Sequence, residues 1–394
     1  MIDRSHLMKT YAEPPVTFVR GSGTVLVDEE GRDYLDFLCG LAVTSLGHAR
    51  PEVVTAIQEQ AAILSHVSNL FGTTQGPVVA DMLDTLLCAA TGSHGRVFFS
   101  NSGAEANECA LKLARRVVPG RHLVVSTLES FHGRTLATLT ATGQPAKHAA
   151  FAPLPNGFDY VPFGDLDAIT QALWKGDVAA VLVESIQAEG GINVPPPGYL
   201  PRLEALCREA GALFMVDEVQ SGMGRTGNWF GFEQEGVRPD VVTMAKALGN
   251  GMPVGACWAR EEIADCFQPG DHGSTFGGQP LALAAARATL ETMIALDAPA
   301  LARSASRRLV PQLQQLDGVR AIRGRGLLLG VELTAPLAAA VVAQGLREGI
   351  VMNAVKPDVI RLTPPLTISD EELDEGVARL GRALAVAMAE EPRS

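Results

Sequence analysis

Two residues 29 positions apart, Asp217 and Lys246, carry chemistry that the rest of the chain has to explain. Each follows a short apolar run. Ala212 to Val216 reads as a buried parallel strand that delivers Asp217 and Glu218 at its C-terminal end, the edge at which open α/β sheets hold ligands. Val241 to Met244 delivers Lys246 in the same way, among Ala, Gly and Pro. A buried carboxylate is costly unless a cation meets it, and a lysine leaving a buried strand is unlike a solvated surface residue. A lysine that can lose its proton bonds an aldehyde, and a carboxylate keeps a pyridine nitrogen protonated. Pyridoxal phosphate needs both. The pair alone is equally compatible with an Asp capping a turn and a Lys reaching the surface, so other positions must decide.

Several other stretches offer complementary groups. The strand Arg96 to Phe99 runs into SNSGAEANECALKLARR, where Ser102, Gly103 and Ala104 open a helix whose unpaired amides and dipole form an anion cup. HGSTFGGQP repeats that logic, with the Ser274 and Thr275 hydroxyls ahead of a helix from Pro280 to Leu296. A Ser-Gly helix start can also be a plain N-cap that binds nothing. After the strand His122 to Ser126, Phe131 can lay a ring over a cofactor and Arg134 can hold a carboxylate, while His132 is ambiguous. The strand Val178 to Val183 brings Glu184 and Glu189 to the sheet edge. Arg361 is the one charged residue of the strand Val359 to Leu362, and a surface strand arginine is its alternative reading. Gly222 to Gly227, GMGRTG, matches a dinucleotide fingerprint but opens no amphipathic helix, so it reads as a loop. His48 reads as a structural histidine.

These groups need a scaffold. The 394 residues, 47% apolar and 19% charged, can bury a sizeable core in one large or two moderate domains. The net charge of −12 and the lack of a basic block argue against a nucleic-acid partner and for a small molecule. Cys39, Cys88, Cys109, Cys207, Cys257 and Cys266 stand singly without CxxC, so reduced thiols are expected, with neither a disulfide framework nor a metal site. The N-terminal stretch has no apolar core and no run reaches spanning length, which points to a cytoplasmic protein away from membranes. Val16 to Phe37 alternates like a small antiparallel meander, Pro51 to Leu64 and Tyr199 to Ala210 have helical spacing, and Gly326 to Leu333 is strand-like. Alternating buried strands and helices from Arg96 to about Leu296 predict an α/β fold with a mostly parallel, helix-covered sheet.

In order and spacing, SNSGAEANECALKLARR, FHGRTL, DEVQSGMGRTG, AKALGNGMPVGA and HGSTFGGQPLA resemble the class III pyridoxal-phosphate aminotransferases, in particular the acetylornithine-type members, nearly end to end. The resemblance implies a fold-type-I architecture: a segment 1–46 joining the small domain, a large cofactor domain over 47–296, and a smaller α+β domain over 297–394. It also implies a homodimer with shared active sites. On the same ground Lys246 bonds the cofactor and moves a proton between substrate and cofactor, Asp217 holds the pyridinium, Phe131 and Val219 sandwich the ring, and Gln220 meets its phenolic oxygen. Gly103 and Ala104 take the phosphate, with Thr275 reaching it from the partner subunit. Arg134 holds a substrate carboxylate with Ser274 nearby, and Tyr11 lies near the α-carboxylate.

The resemblance further implies a Glu189/Arg361 switch: Glu189 neutralises Arg361 for an amine-bearing substrate and releases it for a dicarboxylate. Leu41 is aliphatic where free-ornithine enzymes tend to carry an aromatic, which leaves room for an acyl group. Ala104, Ser185 and Ala188 depart from the usual Thr, Pro and Gly. The reaction implied is transfer of the terminal amino group of N2-acetyl-L-ornithine to 2-oxoglutarate, as in arginine biosynthesis. Succinylornithine, ornithine, 4-aminobutyrate and succinyldiaminopimelate are alternative amino donors. A glutamate-1-semialdehyde aminomutase would need no Glu189/Arg361 pair, and a sensor on this fold would usually carry an added DNA-binding domain.

Overall fold

The protein, analysed as a computed structural model, is described over residues 6–390. The expected meander is present as β1 (Phe18–Ser22), β2 (Val25–Asp28) and β3 (Asp33–Asp36), paired antiparallel in sequence. His48 closes it from outside, with its Nε2 2.7 Å from Asp36 Oδ2, which is the structural role expected of it.

Seven strands form the large sheet: β4 (Gly95–Ser100), β5 (Leu123–Thr127), β6 (Phe158–Val161), β7 (Val178–Glu184), β8 (Leu213–Asp217), β9 (Val241–Met244) and β10 (Gly255–Arg260), in the order β4-β10-β9-β8-β7-β5-β6. All pairs are parallel except the two made by β10. Strands β7, β8 and β9 are buried at every position, because helices cover both faces of a parallel sheet and leave no side for polar residues. The register then does something chemical. Glu184 pairs with Asp217, and Asp217 with Thr243, so three adjacent strands end level at one carboxyl edge.

The helix Gly103–Val117 starts just after β4. Ser102 caps it by accepting the Glu105 amide at 3.2 Å, an interaction worth about 1 kcal/mol, and its Ala106, Cys109, Ala110, Leu113 and Ala114 face is buried. The other expected helices span Pro51–Ile63, Tyr199–Ala210 and Pro280–Ala295.

Towards the C-terminus β11 (Val319–Arg325), β12 (Leu328–Leu333), β14 (Asn353–Lys356) and β15 (Val359–Leu362) form a second antiparallel sheet, with Arg361 paired to Gly330 and to Asn353. Between them β13 (Ile350–Val351) crosses to pair parallel with β3. The GMGRTG stretch is a run of turns, as expected, but its arginine is structural. Arg225 is fully buried, donating to the carbonyls of Leu327 and Pro364 at 3.2 and 2.5 Å and to Ser45 Oγ at 2.8 Å. Its guanidinium fastens the loop after β8 to the N- and C-terminal segments. Among the described residues no helix is long and apolar enough to cross a membrane, and no cluster of His, Cys, Asp or Glu could hold a metal.

Candidate active site

The carboxyl edge of the large sheet opens into a cavity of about 390 Å³. Its lining includes Ser102, Gly103, Ala104, Phe131, Arg134, Glu189, Asp217, Val219, Gln220 and Lys246, so ten of the expected site residues converge although they span 145 positions of sequence.

Asp217 is buried among three polar partners. Asn107 Nδ2 and His132 Nδ1 lie 2.8 Å from its Oδ2, and the Val219 amide donates to Oδ1 at 3.0 Å. Asn107 is itself oriented by Thr243 Oγ1 at 2.8 Å, and His132 by its amide on Thr142 Oγ1 at 2.9 Å. His132, ambiguous in sequence, is thus an Asp217 partner. Beside it, on the adjacent strand, lies Glu184. Burial, and then the neighbouring Asp217 charge, push its pKa well above the usual carboxylate range, against the Phe131 and Ala188 amides that donate to it. Burial thus favours a proton on Glu184, which lies level with Asp217 on the adjacent strand.

Lys246 follows β9 in a left-handed backbone conformation, φ 44°, which only a surrounding structure that over-determines it can hold. Burial, opposed by the Glu189 and Asp217 charges, lowers its pKa below that of an ordinary lysine, so its amine gives up a proton more readily. At the cup, the Ser102 hydroxyl and carbonyl take the Glu105 and Ala106 amides, leaving those of Gly103 and Ala104 for an anion. A Cβ on Gly103 would lie 2.8 Å from Val219 Cγ1, so the absence of a side chain is what lets the cup approach the Val219 wall. Phe131 completes the lining, with the Arg134 guanidinium 5.5 Å from its ring centroid.

Arg361 is fully buried, and Glu189 forms an ion pair with its Nη1. Nη1 also donates to Gln220 Oε1 at 2.9 Å and Nε to Asn353 Oδ1 at 3.1 Å, while Nη2 finds no partner among the described residues. Burial would raise the pKa of Glu189, but the charge and hydrogen bond of Arg361, helped by Lys246, outweigh it and hold it below the usual range. Gln220, expected over the cofactor oxygen, here bridges this pair.

Other residues singled out in the sequence lie outside the cavity lining. Tyr11 is 90% exposed on the segment ahead of β1. Leu41 is not on the wall either. It lies in a turn of four consecutive left-handed residues, Cys39 to Ala42, and Val43 at the exit of that turn lines the cavity instead. Ser185 and Ala188 lie outside the lining: Ser185 packs against Gly231, and Ala188 is buried with Ile186, Ile192 and Leu328. Ser274 and Thr275 line a separate groove of about 900 Å³ with Asn69, Phe71 and Phe99, linked to the cavity where Asn101 Nδ2 donates to Ser274 Oγ at 3.2 Å. Asn107 went unnoticed in the sequence, although an Asn within the otherwise apolar helix face Ala106, Cys109, Ala110 was a signal.

The chain is similar to known proteins nearly end to end. The model of the family described as aminotransferase class-III matches residues 7–384. The chain is 47% identical over 391 residues to an acetylornithine aminotransferase of Corynebacterium efficiens, covering 98% of this chain and 95% of the relative. It is 44% identical to that of Methanothermobacter thermautotrophicus, covering 98% and 97%. Among solved structures, the ornithine aminotransferase of Toxoplasma gondii superposes with TM-score 0.92 at 33% identity, covering 99% of this chain and 94% of that one. The N-acetylornithine aminotransferase of Stenotrophomonas maltophilia does so with TM-score 0.83 at 35% identity, covering 96% and 97%. The chain belongs to the class III aminotransferases.

Proposed function

We propose that the protein transfers the terminal amino group of N2-acetyl-L-ornithine to 2-oxoglutarate, giving N-acetyl-L-glutamate 5-semialdehyde and L-glutamate, with pyridoxal 5'-phosphate as cofactor. The observation that carries the substrate reading is the ion pair between Glu189, which lines the cavity of Lys246 and Asp217, and the fully buried Arg361 behind it. A site that must take an amine-bearing chain and a dicarboxylate in turn needs a cation that can be neutralised or released. The acetylornithine aminotransferases named above support the choice of donor.

The residues fit the cofactor on three counts: an anion cup at Gly103 and Ala104, Phe131 and Val219 on the lining of the same cavity to flank a ring, and the Asp217 carboxyl group there to meet a ring nitrogen. When bound, pyridoxal phosphate supplies the aldehyde carbon that takes the amino group and a ring that spreads the electrons freed at the substrate carbon. Lys246, its proton loosened by burial, would hold the cofactor and serve as the group that takes up and returns a proton at the substrate carbon. Asp217, fixed in place by Asn107, His132 and the Val219 amide, would meet the ring nitrogen. Arg134 receives the substrate carboxylate at the cavity mouth, with Ser274 beside it, and Glu189 screens Arg361 until a dicarboxylate arrives.

The same reading includes a homodimer. Leu70, Phe71 and Phe276 are large, exposed and apolar beside the groove that carries Thr275, an arrangement suited to covering by a second copy that receives Thr275 in its phosphate cup. It also includes a large domain over 47–296 and a small one built from 1–46 and 297–394, supported by the β3–β13 pairing, and a cytoplasmic location. The test is a half-reaction. Mixed with N2-acetylornithine and no keto acid, the loaded protein should lose its visible cofactor absorbance and regain it on adding 2-oxoglutarate. Conversion by ornithine, 4-aminobutyrate, succinylornithine or succinyldiaminopimelate in its place would move the substrate. No conversion by any of them would sink the reading.

A further inference from the structure

The inference rests on the Glu189/Arg361 reading above. When a dicarboxylate takes Arg361, Glu189 must leave a buried guanidinium and carry its charge elsewhere, and an unpaired carboxylate in a half-buried wall is costly. Besides Arg361, four cations stand around it. Lys246 is reserved for the cofactor, and Arg134, over the Phe131 ring, for a substrate carboxylate. Lys356 is paired with Glu129. Lys147 remains: half-buried, it has no carboxylate partner among the described residues and donates only to Gln144 Oε1.

Its placement is built rather than incidental. Lys147 ends the short 3-10 turn Pro145–Lys147, which is anchored to one shelf, residues 128–130. The Glu129 amide donates to the Gly143 carbonyl at 2.8 Å, the Gly143 amide to Ser130 Oγ at 3.0 Å, and Gln144 Nε2 to the Ser130 carbonyl at 3.0 Å. The loop of Glu189 stands on the same shelf. A Cβ on Gly190 would come within 2.8 Å of the Glu129 carbonyl, and Gln187 Nε2 donates to the Leu128 carbonyl at 2.8 Å. The two side chains feel each other's field: burial and Arg134 lower the pKa of Lys147, and Glu189 and then Glu129 act against them.

We propose that Lys147 is a positioning residue that receives the Glu189 carboxylate when a dicarboxylate displaces it from Arg361, and that it thereby sets the preference for five-carbon dicarboxylates over acylated diamines. A lysine suits the task because its flexible stem lets a point charge follow a moving carboxylate.

The test uses the loaded protein and two unreactive probes, glutarate and N2-acetyl-L-norvaline, with affinities measured by calorimetry alongside the half-reactions. Lys147→Gln should weaken glutarate and raise the KM for 2-oxoglutarate about tenfold, with kcat and acetylnorvaline affinity changed by less than about twofold. Lys147→Arg should restore most of the loss. In a Glu189→Ala background the same Lys147→Gln change should alter glutarate affinity by less than about twofold, since no carboxylate is left to receive. Equal losses for both probes, or a loss undiminished in the Glu189→Ala background, would overturn the proposal and place Lys147 on the substrate or in the fold. A wild-type protein that binds neither probe and exchanges no amino group would instead bring down the transaminase reading itself.

Discussion

Replacing Glu189 by Ala tests the charge switch at its hinge. In the wild type the Arg361 side chain has no solvent exposure and the Glu189 side chain is 27% exposed, so their attraction is only partly screened. At an effective dielectric near 20 and roughly 4 Å, two such charges attract by about 4 kcal/mol. Part of this returns when the displaced Glu189 regains water or another cation, and taking roughly half leaves a barrier to dicarboxylate entry of about 2 kcal/mol, or about 30-fold. Glu189→Ala removes that barrier for glutamate and exposes the amine-bearing substrate to an uncompensated guanidinium. The ratio of kcat/KM for glutamate to that for acetylornithine should therefore rise by about 30-fold or more. Rapid-mixing half-reactions, each with one substrate and no acceptor, measure both numbers directly. Arg361 would be left with only Gln220 and Asn353, so a thermal melt must accompany the kinetics to exclude collapse of the wall. A folded variant whose ratio stays within about twofold of wild type would refute the reasoning, because the attraction it removes could then not be what separates the two substrates.

Three further outcomes are expected. In the cofactor-free protein the unfolded state keeps the Lys246 proton to higher pH than the folded state, whose lysine pKa is lowered by burial. Wild-type stability should thus climb as pH rises towards the ordinary lysine value. Lys246→Met, which binds no cofactor covalently, should melt higher than the cofactor-free wild type at neutral pH, with an advantage that shrinks as the solution becomes alkaline; an advantage that grew instead would reverse the assignment. Glu218, buried against the Gly231 and Phe232 amides, has its pKa pushed up by burial from 4.5 to about 7. Its folded form holds the proton that its unfolded form has lost, so the contribution is full below pH 4.5 and disappears as pH rises through about 7. Denaturant melts of Glu218→Gln against wild type should diverge in favour of the variant by on the order of 3 kcal/mol across that window, and parallel curves would count against it. Gly103→Ala would force Val219 off the cavity wall, and titration of the apoprotein should show cofactor affinity falling about tenfold with the fold intact; unchanged affinity would mean that the wall yields freely.

Much of the site was legible because the groups concerned sit where local pattern changes abruptly. Asp217 and Lys246 end apolar strands, Ser102 to Ala104 open a helix, and Glu184 and Glu189 follow a fully apolar run. Groups recruited from within regular elements were not legible. Asn107 lies on a buried helix face and meets Asp217 110 residues away, and the role of His132 became definite only when its Nδ1 was seen on the same carboxylate. Tyr11 and Leu41 fall in segments without regular structure or with left-handed backbone, where side-chain periodicity gives no direction.

Local rules were thus enough for the alternation of buried strands and helices, the strand-end chemistry and the cofactor that such chemistry requires, since each depends on residues within a few positions of one another. Strand order, the insertion of antiparallel β10 between β4 and β9, and the crossing of β13 to β3 depend on which surfaces bury best against which, a property of the whole chain. The electrostatics are decided at the same level. Glu184 and Asp217 are similar carboxyl groups, 33 residues apart and level on adjacent strands, but the folded chain surrounds Asp217 with Asn107, His132 and the Val219 amide, whereas burial and the neighbouring Asp217 push the pKa of Glu184 up.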